Sequence, residues 1–473
     1  MRSVVMCGTG VVFIALIATA CGSADKARAA FDGDAGEGGQ GEAGASDAPG
    51  GSPASGEGGT AGSSDPAAGG AAGSSAPGSG GATGNGGSAD SGGASGNFVP
   101  PPPRLALGGP HSCALKLDET VACWGRGDHG ELGDGEFHVV PGSFTPLGLA
   151  DPVSVQELGG VTAITSGLFH SCALRGETAS IYCWGAGNAG QLGDGIFHMF
   201  DDAGVALPQL VEIDDVAQVS AAGSHTCVLL GDGSVWCWGD NLFGQLGDDS
   251  MTNSATPLRV DGLSGVVQLA VGKDQTCALM EDSTVQCWGS GGVNNQAGTT
   301  ISLLDPTPID GVTGATALAA GDGFTCALVA GGEVQCWGEG DVGQLGDGLM
   351  NDSNTTPVRV TGLSGVVQLS AGARHVCALD ADQAVWCWGK GDFGQLGDGI
   401  YHNGFPTFVT EPVAAELLTD VVEVACGEDH TCVRTSADEI LCIGLGGYGQ
   451  LGDGSFYSAS PFGSATPVTA LSL

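Results

Sequence analysis

The sequence predicts an all-β fold, a seven-bladed β-propeller, from three observations. A cysteine, followed in most copies by Trp-Gly, recurs seven times at spacings of 60, 54, 50, 49, 51 and 55 residues. Each copy holds four short β-rich runs separated by Gly, Asp and Pro, and no stretch after residue 103 keeps a helical period. A period of about 50 residues indicates a repeat architecture, and four-stranded units repeated in a ring fit a propeller. The recurring cysteines are Cys123, Cys183, Cys237, Cys287, Cys336, Cys387 and Cys442.

Residues 1–21 have the features of a secretory signal peptide. Arg2 supplies the positive charge, and the apolar run that follows is too short for a membrane span. The segment ends in A-T-A-C-G, which resembles a bacterial lipobox, so we expect Cys21 to carry a lipid anchor. The expected location is the cell envelope, as an outer-membrane lipoprotein or at the cell surface. The alternative is an ordinary cleaved signal with an incidental Cys21, and the protein would then be secreted.

Residues 22–103 are almost wholly Gly, Ala, Ser, Pro and Asp, which predicts a disordered linker because such a chain cannot offset its ordering entropy. Residues 104–473 are then the propeller domain. This domain holds 10 of the 13 Lys and Arg and 44 of the 53 acids, so its formal charge is 10 − 44 = −34. Such a surface repels phosphate backbones, and nucleic acid is excluded as a partner.

The repeat resembles that of the regulator of chromosome condensation family. The matching motifs are G-x-x-H-[ST]-x-A-L, V-x-C-W-G and G-Q-L-G-D-G, and they cover residues 105–471. The resemblance implies a seven-bladed propeller. It implies little about function, because the family includes exchange factors, chromatin binders and secreted inhibitor proteins.

Fourteen cysteines form pairs on the two arms of the seven hairpins, ten or 11 residues apart. This spacing places them opposite each other, and in an exported protein such a set predicts disulfides. The alternative is zinc, because five copies carry a histidine two residues before the first cysteine. Since the family carries this histidine without the cysteines, we expect it to hydrogen-bond a turn, with no metal bound. Cys426 is expected to be a buried free thiol. The predicted pairs are Cys113–Cys123, Cys172–Cys183, Cys227–Cys237, Cys277–Cys287, Cys326–Cys336, Cys377–Cys387 and Cys432–Cys442.

All eight tryptophans belong to the V-x-C-W-G strands, and six of them follow the second cysteine. The simplest arrangement packs these six between blades, and the alternative is an exposed platform for sugar stacking. The aspartate of G-D-G is expected to cap its own turn, because a calcium site would need more converging oxygens.

Insertions after the G-D-G turn are longest in copies one, two, six and seven, and these four also carry aromatic pairs. Insertions in repeat proteins collect on one face, often the binding face. We therefore expect these loops to form one arc that binds a partner. The alternative is that each aromatic residue covers its own blade. The expected partner-binding residues are Phe137, His138, Phe197, His198, Tyr401, His402, Phe456 and Tyr457.

These observations favour an exported, lipid-anchored monomer that binds an extracytoplasmic protein or glycan, with no cofactor and no catalytic residue. One alternative is a carbohydrate-active enzyme with a site in the central channel, although no paired carboxylates or G-x-S-x-G motif stand out. The other alternative is a structural surface or adhesion protein.

Overall fold

The structure, a computed structural model, describes residues 104–140, 146–198, 204–290, 302–350, 353–402 and 408–472. These residues form seven antiparallel sheets of four consecutive strands each, which confirms the predicted seven-bladed β-propeller. None of the described residues belongs to a helix that is long and apolar enough to cross a membrane. The predicted signal, Cys21 and the linker lie outside the described residues.

Each blade uses four strands in chain order, and the first strands of adjacent blades contact each other around the centre. Blades 1 and 2 consist of β1 Leu105–Leu107, β2 His111–Leu115, β3 Val121–Arg126, β4 Gly148–Ser154, β5 Val161–Ser166, β6 His170–Arg175, β7 Ser180–Ala186 and β8 Gly204–Leu210. Blades 3 and 4 consist of β9 Val216–Ala222, β10 His225–Leu230, β11 Val235–Gly239, β12 Ser254–Val260, β13 Val266–Val271, β14 Gln275–Met280, β15 Val285–Gly289 and β16 Leu303–Pro308. Blades 5 to 7 consist of β17 Ala315–Ala320, β18 Phe324–Val329, β19 Glu333–Gly338, β20 Ser353–Arg359, β21 Val366–Ala371, β22 His375–Asp380, β23 Val385–Gly389, β24 Val409–Ala414, β25 Val421–Cys426, β26 His430–Thr435, β27 Glu439–Leu445 and β28 Gly463–Ser472.

A disulfide joins the second and third strands of every blade. In blade 1, Cys113 of β2 lies directly opposite Cys123 of β3, and their Cα atoms are 4.1 Å apart. The other six predicted pairs have the same arrangement, which confirms the disulfide framework. In the 11-residue pair of blade 2, an extra residue in the hairpin keeps Cys172 opposite Cys183. Cys426 is a buried free thiol, as predicted.

The recurring tryptophans pack between blades. Trp184, for example, is fully buried and packs with Val155 and Leu158 at the end of blade 1 and with Ile164 of its own blade. All six are at most 1% exposed, so the prediction of interblade packing is confirmed and an exposed sugar platform is ruled out for them. They are Trp124, Trp184, Trp238, Trp288, Trp337 and Trp388.

The ring closes between blade 7 and blade 1 without a shared sheet, because β1 belongs wholly to blade 1 and β28 wholly to blade 7. The contact depends on Glu423 of β25, whose Oε1 accepts hydrogen bonds from the backbone N–H groups of Arg104, 2.9 Å away, and Leu105, 3.0 Å away. Arg434 in turn donates to Glu423 Oε2 over 2.9 Å. The buried carboxylate therefore fixes the first two residues of the propeller to its last blade.

Candidate binding face

Two sets of connections emerge from the same end of the blades. The inner turns join the first and second strands, and the outer loops join the third and fourth strands. In blade 1, His111 at the start of β2 pairs with Gly125 near the end of β3. The inner turn that precedes His111 and the outer loop that follows β3 therefore lie at the same end of the blade. We call the inner turns and outer loops together the loop face. The opposite end of the blades carries the hairpins between the second and third strands.

The inner turns form a ring around the channel mouth, and backbone hydrogen bonds join all adjacent described turns except those of blades 3 and 4. Gly109 N–H donates to Leu168 O over 3.1 Å, and Leu168 N–H donates to Gly223 O over 2.8 Å. Similar backbone bonds link blades 4 to 5, 5 to 6, 6 to 7 and 7 to 1. Glycine at these turns is required by close packing, since a Cβ on Gly427 would lie 2.7 Å from Gly108 O. The rim of the mouth is therefore built mainly of backbone.

Beneath this ring, buried histidines link neighbouring blades. His430 Nε2 is 2.8 Å from Ser112 Oγ of the next blade around the ring. Since Ser112 Oγ donates to Gln450 O, the histidine must be the donor to Ser112. The expectation that these histidines bond a turn is wrong, because Nε2 bonds a hydroxyl of the next blade and Nδ1 has no hydrogen-bond partner among the described residues. The equivalent contacts are His111–Ser171, His170–Thr226, His225–Thr276 and His375–Thr431.

Blades 4 and 5 lack this histidine and show how it can be replaced. Gln275 Nε2 donates to Thr325 Oγ1, 2.9 Å away, so a glutamine makes the same interblade bond. Phe324 cannot donate, and the hydroxyl position that faces it is Val376. Phe324 and Val376 are both fully buried in one apolar cluster, so this blade junction exchanges a polar pair for an apolar one.

Burial lowers the pKa of each of these five histidines from 6.5 to about 3. The rings are therefore neutral at ordinary pH, and donation from Nε2 places the single ring proton on that nitrogen. A metal at the H-x-C motif would need a thiolate, but these cysteines are bonded in disulfides. Cys377, which lies near His375 and Cys426, is likewise bonded to Cys387.

The glutamine of G-Q-L-G joins an outer loop to the tryptophan of the next blade. Gln450 O accepts from Trp124 Nε1 over 2.8 Å as well as from Ser112 Oγ. Four further tryptophans bond the equivalent carbonyl, that of Glu131, Gln191, Gln245 or Gln344. The start of each of these outer loops is therefore fixed to the next blade, which makes the base of the loop face rigid.

The G-D-G aspartates cap their turns, as predicted, and also hold the residue four positions later. Asp194 Oδ1 accepts from Ile196 N–H over 3.1 Å, and Asp194 Oδ2 accepts from His198 Nε2 over 2.8 Å. His198 N–H also donates to Gly187 O, and the ring lies over that glycine. We call this arrangement the aspartate clamp. Its other examples are Asp134–His138, Asp398–His402 and Asp453–Tyr457.

The clamp separates the two members of each aromatic pair. The second members are half-buried: the His138, His198 and His402 side chains are 17%, 13% and 16% exposed. Their rings lie over glycines of their own blades, which is the arrangement given above as the alternative to partner binding. Burial raises the pKa of Tyr457 to about 12, and its hydroxyl donates to Asp453.

The first members point outward in three of the four loops. Phe137, Phe197 and Phe456 are 47%, 44% and 51% exposed, and we call them the apolar tips. Tyr401 differs, because its hydroxyl donates to Gly463 O and accepts from Ala465 N–H of the next blade, both over 3.1 Å. Because the blades form a closed ring, the clamped loops of blades 6, 7, 1 and 2 lie next to one another in a single arc.

Exposed apolar side chains are concentrated in the outer loops. Of the 17 large hydrophobic residues that are exposed among the described residues, four lie elsewhere: Leu117, Leu210, Val267 and Leu417. The remaining 13 all lie in outer loops. They are Phe137, Leu147, Ile196, Phe197, Leu242, Phe243, Met251, Leu349, Met350, Ile400, Tyr448, Phe456 and Phe462.

The channel mouth carries few ionisable side chains. Lys273 Nζ lies 3.0 Å from Asp322 Oδ2, so these two neutralise each other. Burial raises the pKa of Glu428. The other residues that line the cavity are mainly Gly and Ala, with the Cys426 thiol below. The described mouth is therefore mainly backbone, and its charged groups are Glu428 and the Lys273–Asp322 pair.

Blade 1 departs from the repeat in its outer loop. Glu131 occupies the place of the glutamine and is fully buried, and its carboxylate accepts from the backbone N–H of His129 over 2.8 Å. Hydrogen bonds to Asp128 and Glu131 raise the pKa of His129 to about 9, so this histidine is a cation. Asp128 also pairs with Arg126. Asp128, His129 and Glu131 could approach a metal together, but the two carboxylates are already offset by His129 and Arg126.

Neither the aspartate clamp nor the circle of interblade histidine bonds was predicted from the sequence. The clamp had a signal, because histidine or tyrosine follows the G-D-G aspartate by four residues in all four long loops. The circle of interblade histidine bonds also had a signal. Phe324 stands where other copies have His or Gln, and Val376 stands where they have Ser or Thr, so the two positions change together.

Family models match most of the propeller. The model described as RCC1-like domain matches residues 96–361, and models of the regulator of chromosome condensation (RCC1) repeat match residues 382–434, 366–395 and 421–450. The chain is 31% identical to the ultraviolet-B receptor UVR8 of Arabidopsis thaliana, over 75% of this chain and 80% of that protein. It is 32% identical to the human E3 ubiquitin-protein ligase HERC2, over 68% of this chain but only 6% of that protein.

Solved structures share the fold. Yeast RCC1 (Prp20), solved bound to Kap60, superposes with a TM-score of 0.63 at 23% identity, over 76% of this chain and 85% of that one. Human WBSCR16 gives a TM-score of 0.60 at 24% identity, over 74% of this chain and 92% of that one. At these identities the likeness concerns the fold alone.

Proposed function

The chain belongs to the RCC1-like domain family, and from that membership we propose that it is a non-catalytic binding scaffold that engages a protein or glycan through the loop face. The observation that carries this proposal is the position of the exposed apolar side chains, 13 of 17 of which lie in outer loops. A concentration of apolar side chains on a solvent-exposed face is typical of an interaction site. The hairpin end has no comparable concentration among the described residues.

The aspartate clamps support the same proposal through rigidity. A partner that binds flexible loops must immobilise them, and each rotamer-rich side chain costs about 0.5–1.5 kcal/mol. In blades 1, 2 and 7 the clamp fixes the loop on both sides of the apolar tip before any partner arrives. Tips held in this way are suited to act as binding hot spots.

Relatives provide a precedent for protein partners. The yeast RCC1 structure was solved with Kap60, and a second structure of Prp20p from Saccharomyces cerevisiae concerns its binding to Gsp1p and histones. We do not carry these partners over to this chain, because residues 1–21 are predicted to be an export signal. We propose a partner outside the cytoplasm.

The proposed export and lipid anchor fit two features of the domain. Seven disulfides suit an oxidising compartment. Arg104, where the described chain begins, lies at the hairpin end, because its carbonyl accepts from Leu115 N–H at the end of β2. The described chain therefore enters the propeller at the end opposite the loop face. Like charge opposes self-association, so we propose a monomer.

The test is a pull-down from the native host's envelope fraction, with the oxidised full-length protein as bait. A tip variant carries Phe137→Ser, Phe197→Ser and Phe456→Ser, and a control variant carries Leu117→Ser and Leu417→Ser at the hairpin end. We expect one partner to be retained by the wild type and the control and lost by the tip variant. Equal retention by all three, or retention by none, contradicts the proposal.

A further inference from the structure

We propose that the loop face recognises a cationic polypeptide segment in which Lys or Arg alternates with apolar side chains. This inference rests on the proposed function and specifies the chemistry of the partner. It follows from how the charges of the loop face are distributed, and the argument needs three observations: the state of its cations, the state of its acids, and the position of those acids relative to the apolar tips.

Every lysine and arginine of the loop face is already paired within the protein. Arg126 pairs with Asp128, and Lys273 with Asp322. Arg374 lies 3.0 Å from Asp341, and Lys390 lies 3.0 Å from Asp429. An anionic partner such as an acidic glycan or a phosphorylated chain would have to break one of these pairs. The described loop face therefore offers an anion no free cation.

Several acids of the same end, in contrast, have no partner among the described residues. Glu136 in the outer loop of blade 1, Asp151 of β4 and Asp249 in the outer loop of blade 3 accept no hydrogen bond through their side chains and make no ion pair. Each of these carboxylates would gain from an incoming cation.

Two unpaired acids lie beside apolar tips on adjacent blades. Glu136 immediately precedes Phe137 within the blade 1 clamp, and both are exposed. Asp151 of β4 is next to the blade 7 tip, because a Cβ on Gly454 would be 3.4 Å from Asp151 Oδ1, and Phe456 follows two residues later. At these two tips, Phe137 and Phe456, an exposed aromatic ring thus lies near an exposed carboxylate. A segment that alternates cationic and apolar side chains would satisfy both at once.

Two other occupants conflict with these charges. A second copy of the domain brings the same charge of −34, so contact through this face is opposed. Residues 1–103 hold 3 Lys and Arg against 9 acids, a net charge of 3 − 9 = −6, and are poor in large apolar side chains after the signal. Neither supplies the cations that the free carboxylates lack.

The test measures binding of three synthetic peptides of equal length to the oxidised full-length protein by fluorescence anisotropy. The first repeats Lys-Phe-Gly-Ser, the second Glu-Phe-Gly-Ser and the third Lys-Ser-Gly-Ser. We expect only the first to bind measurably, and we expect its Kd to rise at least about tenfold between about 0.1 M and about 1 M NaCl, because the Debye length falls from about 10 Å to about 3 Å.

Two variants locate the site. A loop-face variant carries Glu136→Gln and Asp151→Asn, and its matched control carries Glu177→Gln and Glu416→Gln at the hairpin end, with folding of both checked by circular dichroism. The loop-face variant should weaken binding of the Lys-Phe peptide at least about fivefold, as expected for the loss of two exposed charge pairs, and the control should not. Equal binding of the Glu-Phe peptide, no binding of the Lys-Phe peptide, or equal loss in both variants overturns the inference.

The outcome separates this inference from the proposed function. If the pull-down yields a partner that requires the apolar tips but presents an acidic or neutral surface, the scaffold proposal stands and the cationic inference fails. If no captured protein depends on the tips, the scaffold proposal fails on its own terms.

Discussion

His430 in the last blade donates a hydrogen bond from Nε2 to the hydroxyl of Ser112 in the first blade, 2.8 Å away. The two residues are 318 positions apart in the chain. This bond belongs to the circle of interblade contacts that holds the propeller closed beneath its channel mouth. Because the circle also fixes the bases of the outer loops through shared carbonyls, the stability of the ring and the geometry of the binding face are connected.

The apolar junction between blades 5 and 6 should be convertible to the polar one. Phe324→His alone buries a ring nitrogen against Val376 and should cost about 1–3 kcal/mol, the penalty of an unsatisfied buried polar group. Adding Val376→Thr supplies the missing hydroxyl, so the double variant should recover at least about 1 kcal/mol, within the range of coupled neighbours. Urea unfolding of all four proteins measures this coupling, and strict additivity of the two changes would contradict the proposed pairing.

Acid should destabilise the protein through its buried histidines. Their folded pKa of about 3 lies below the unfolded value of 6.5, so the stability they contribute is complete above pH 6.5 and is lost as the pH falls toward 3. His375→Gln should remove one share of this dependence, about 1.4 kcal/mol per pH unit between about pH 6 and about pH 4. Gln275 already makes the equivalent bond in blade 4, so the variant should be close to wild type at pH 7.5.

The measurement for this prediction is the urea midpoint of wild type and His375→Gln across that pH range. Carboxylates titrate there too, but they are the same in both proteins and cancel in the comparison. Parallel midpoint curves for the two proteins would show that His375 does not take up a proton on unfolding.

Thiol counting tests the disulfide framework. Residues 104–473 contain 15 cysteines, and 14 of them are paired, which leaves 15 − 14 = 1 free thiol. Cys426 is buried, and burial raises its pKa to about 12, so it should react very slowly in the native state. We expect Ellman's reagent to find no thiol in the folded domain and one after unfolding in guanidinium without reductant. Two or more thiols in the unfolded domain would mean that a predicted bridge is missing.

The aspartate clamp should depend on a glycine that lies beneath it. A Cβ on Gly187 would lie 2.5 Å from His198 Cδ2, so Gly187→Ala should displace the ring from Asp194. Hydrogen exchange at residues 194–198 should then become at least about tenfold faster, as expected for loss of roughly 1.4 kcal/mol of local protection. Gly159→Ala is the matched control, because a Cβ there meets nothing within 4 Å. Unchanged exchange in Gly187→Ala would show that the clamp does not order the loop.

The sequence was sufficient to predict features whose interacting residues lie close together within one copy of the repeat. The blade count, the seven disulfides and the burial of Trp184 and its equivalents all follow from short-range spacing, because hairpin partners are ten or 11 residues apart. The partner of His430 could not be found in this way, because it lies in another blade. The only signal in the sequence is that the His position and the Ser/Thr position change together at Phe324 and Val376.

The candidate site was only half predictable for a similar reason. The loop lengths and aromatic pairs placed Phe137 and His138 in the arc together. They do not tell which of the two faces solvent, because that depends on the bond from His138 to Asp134 and on the packing of its ring over Gly127. Tyr401 was equally ambiguous, since its role as a contact to β28 arises from the neighbouring blade.

The central claim is that the clamped apolar tips bind the partner. Its most direct test is the Kd of the partner recovered from the envelope, measured for Phe137→Ser, Phe197→Ser and Phe456→Ser singly and for Leu117→Ser as the control. We predict that at least one tip variant weakens binding by about thirtyfold, or roughly 2 kcal/mol, as expected for a hot spot, with the control unchanged. A Kd that stays within about twofold for all three tip variants would contradict the account and assign binding to another part of the propeller.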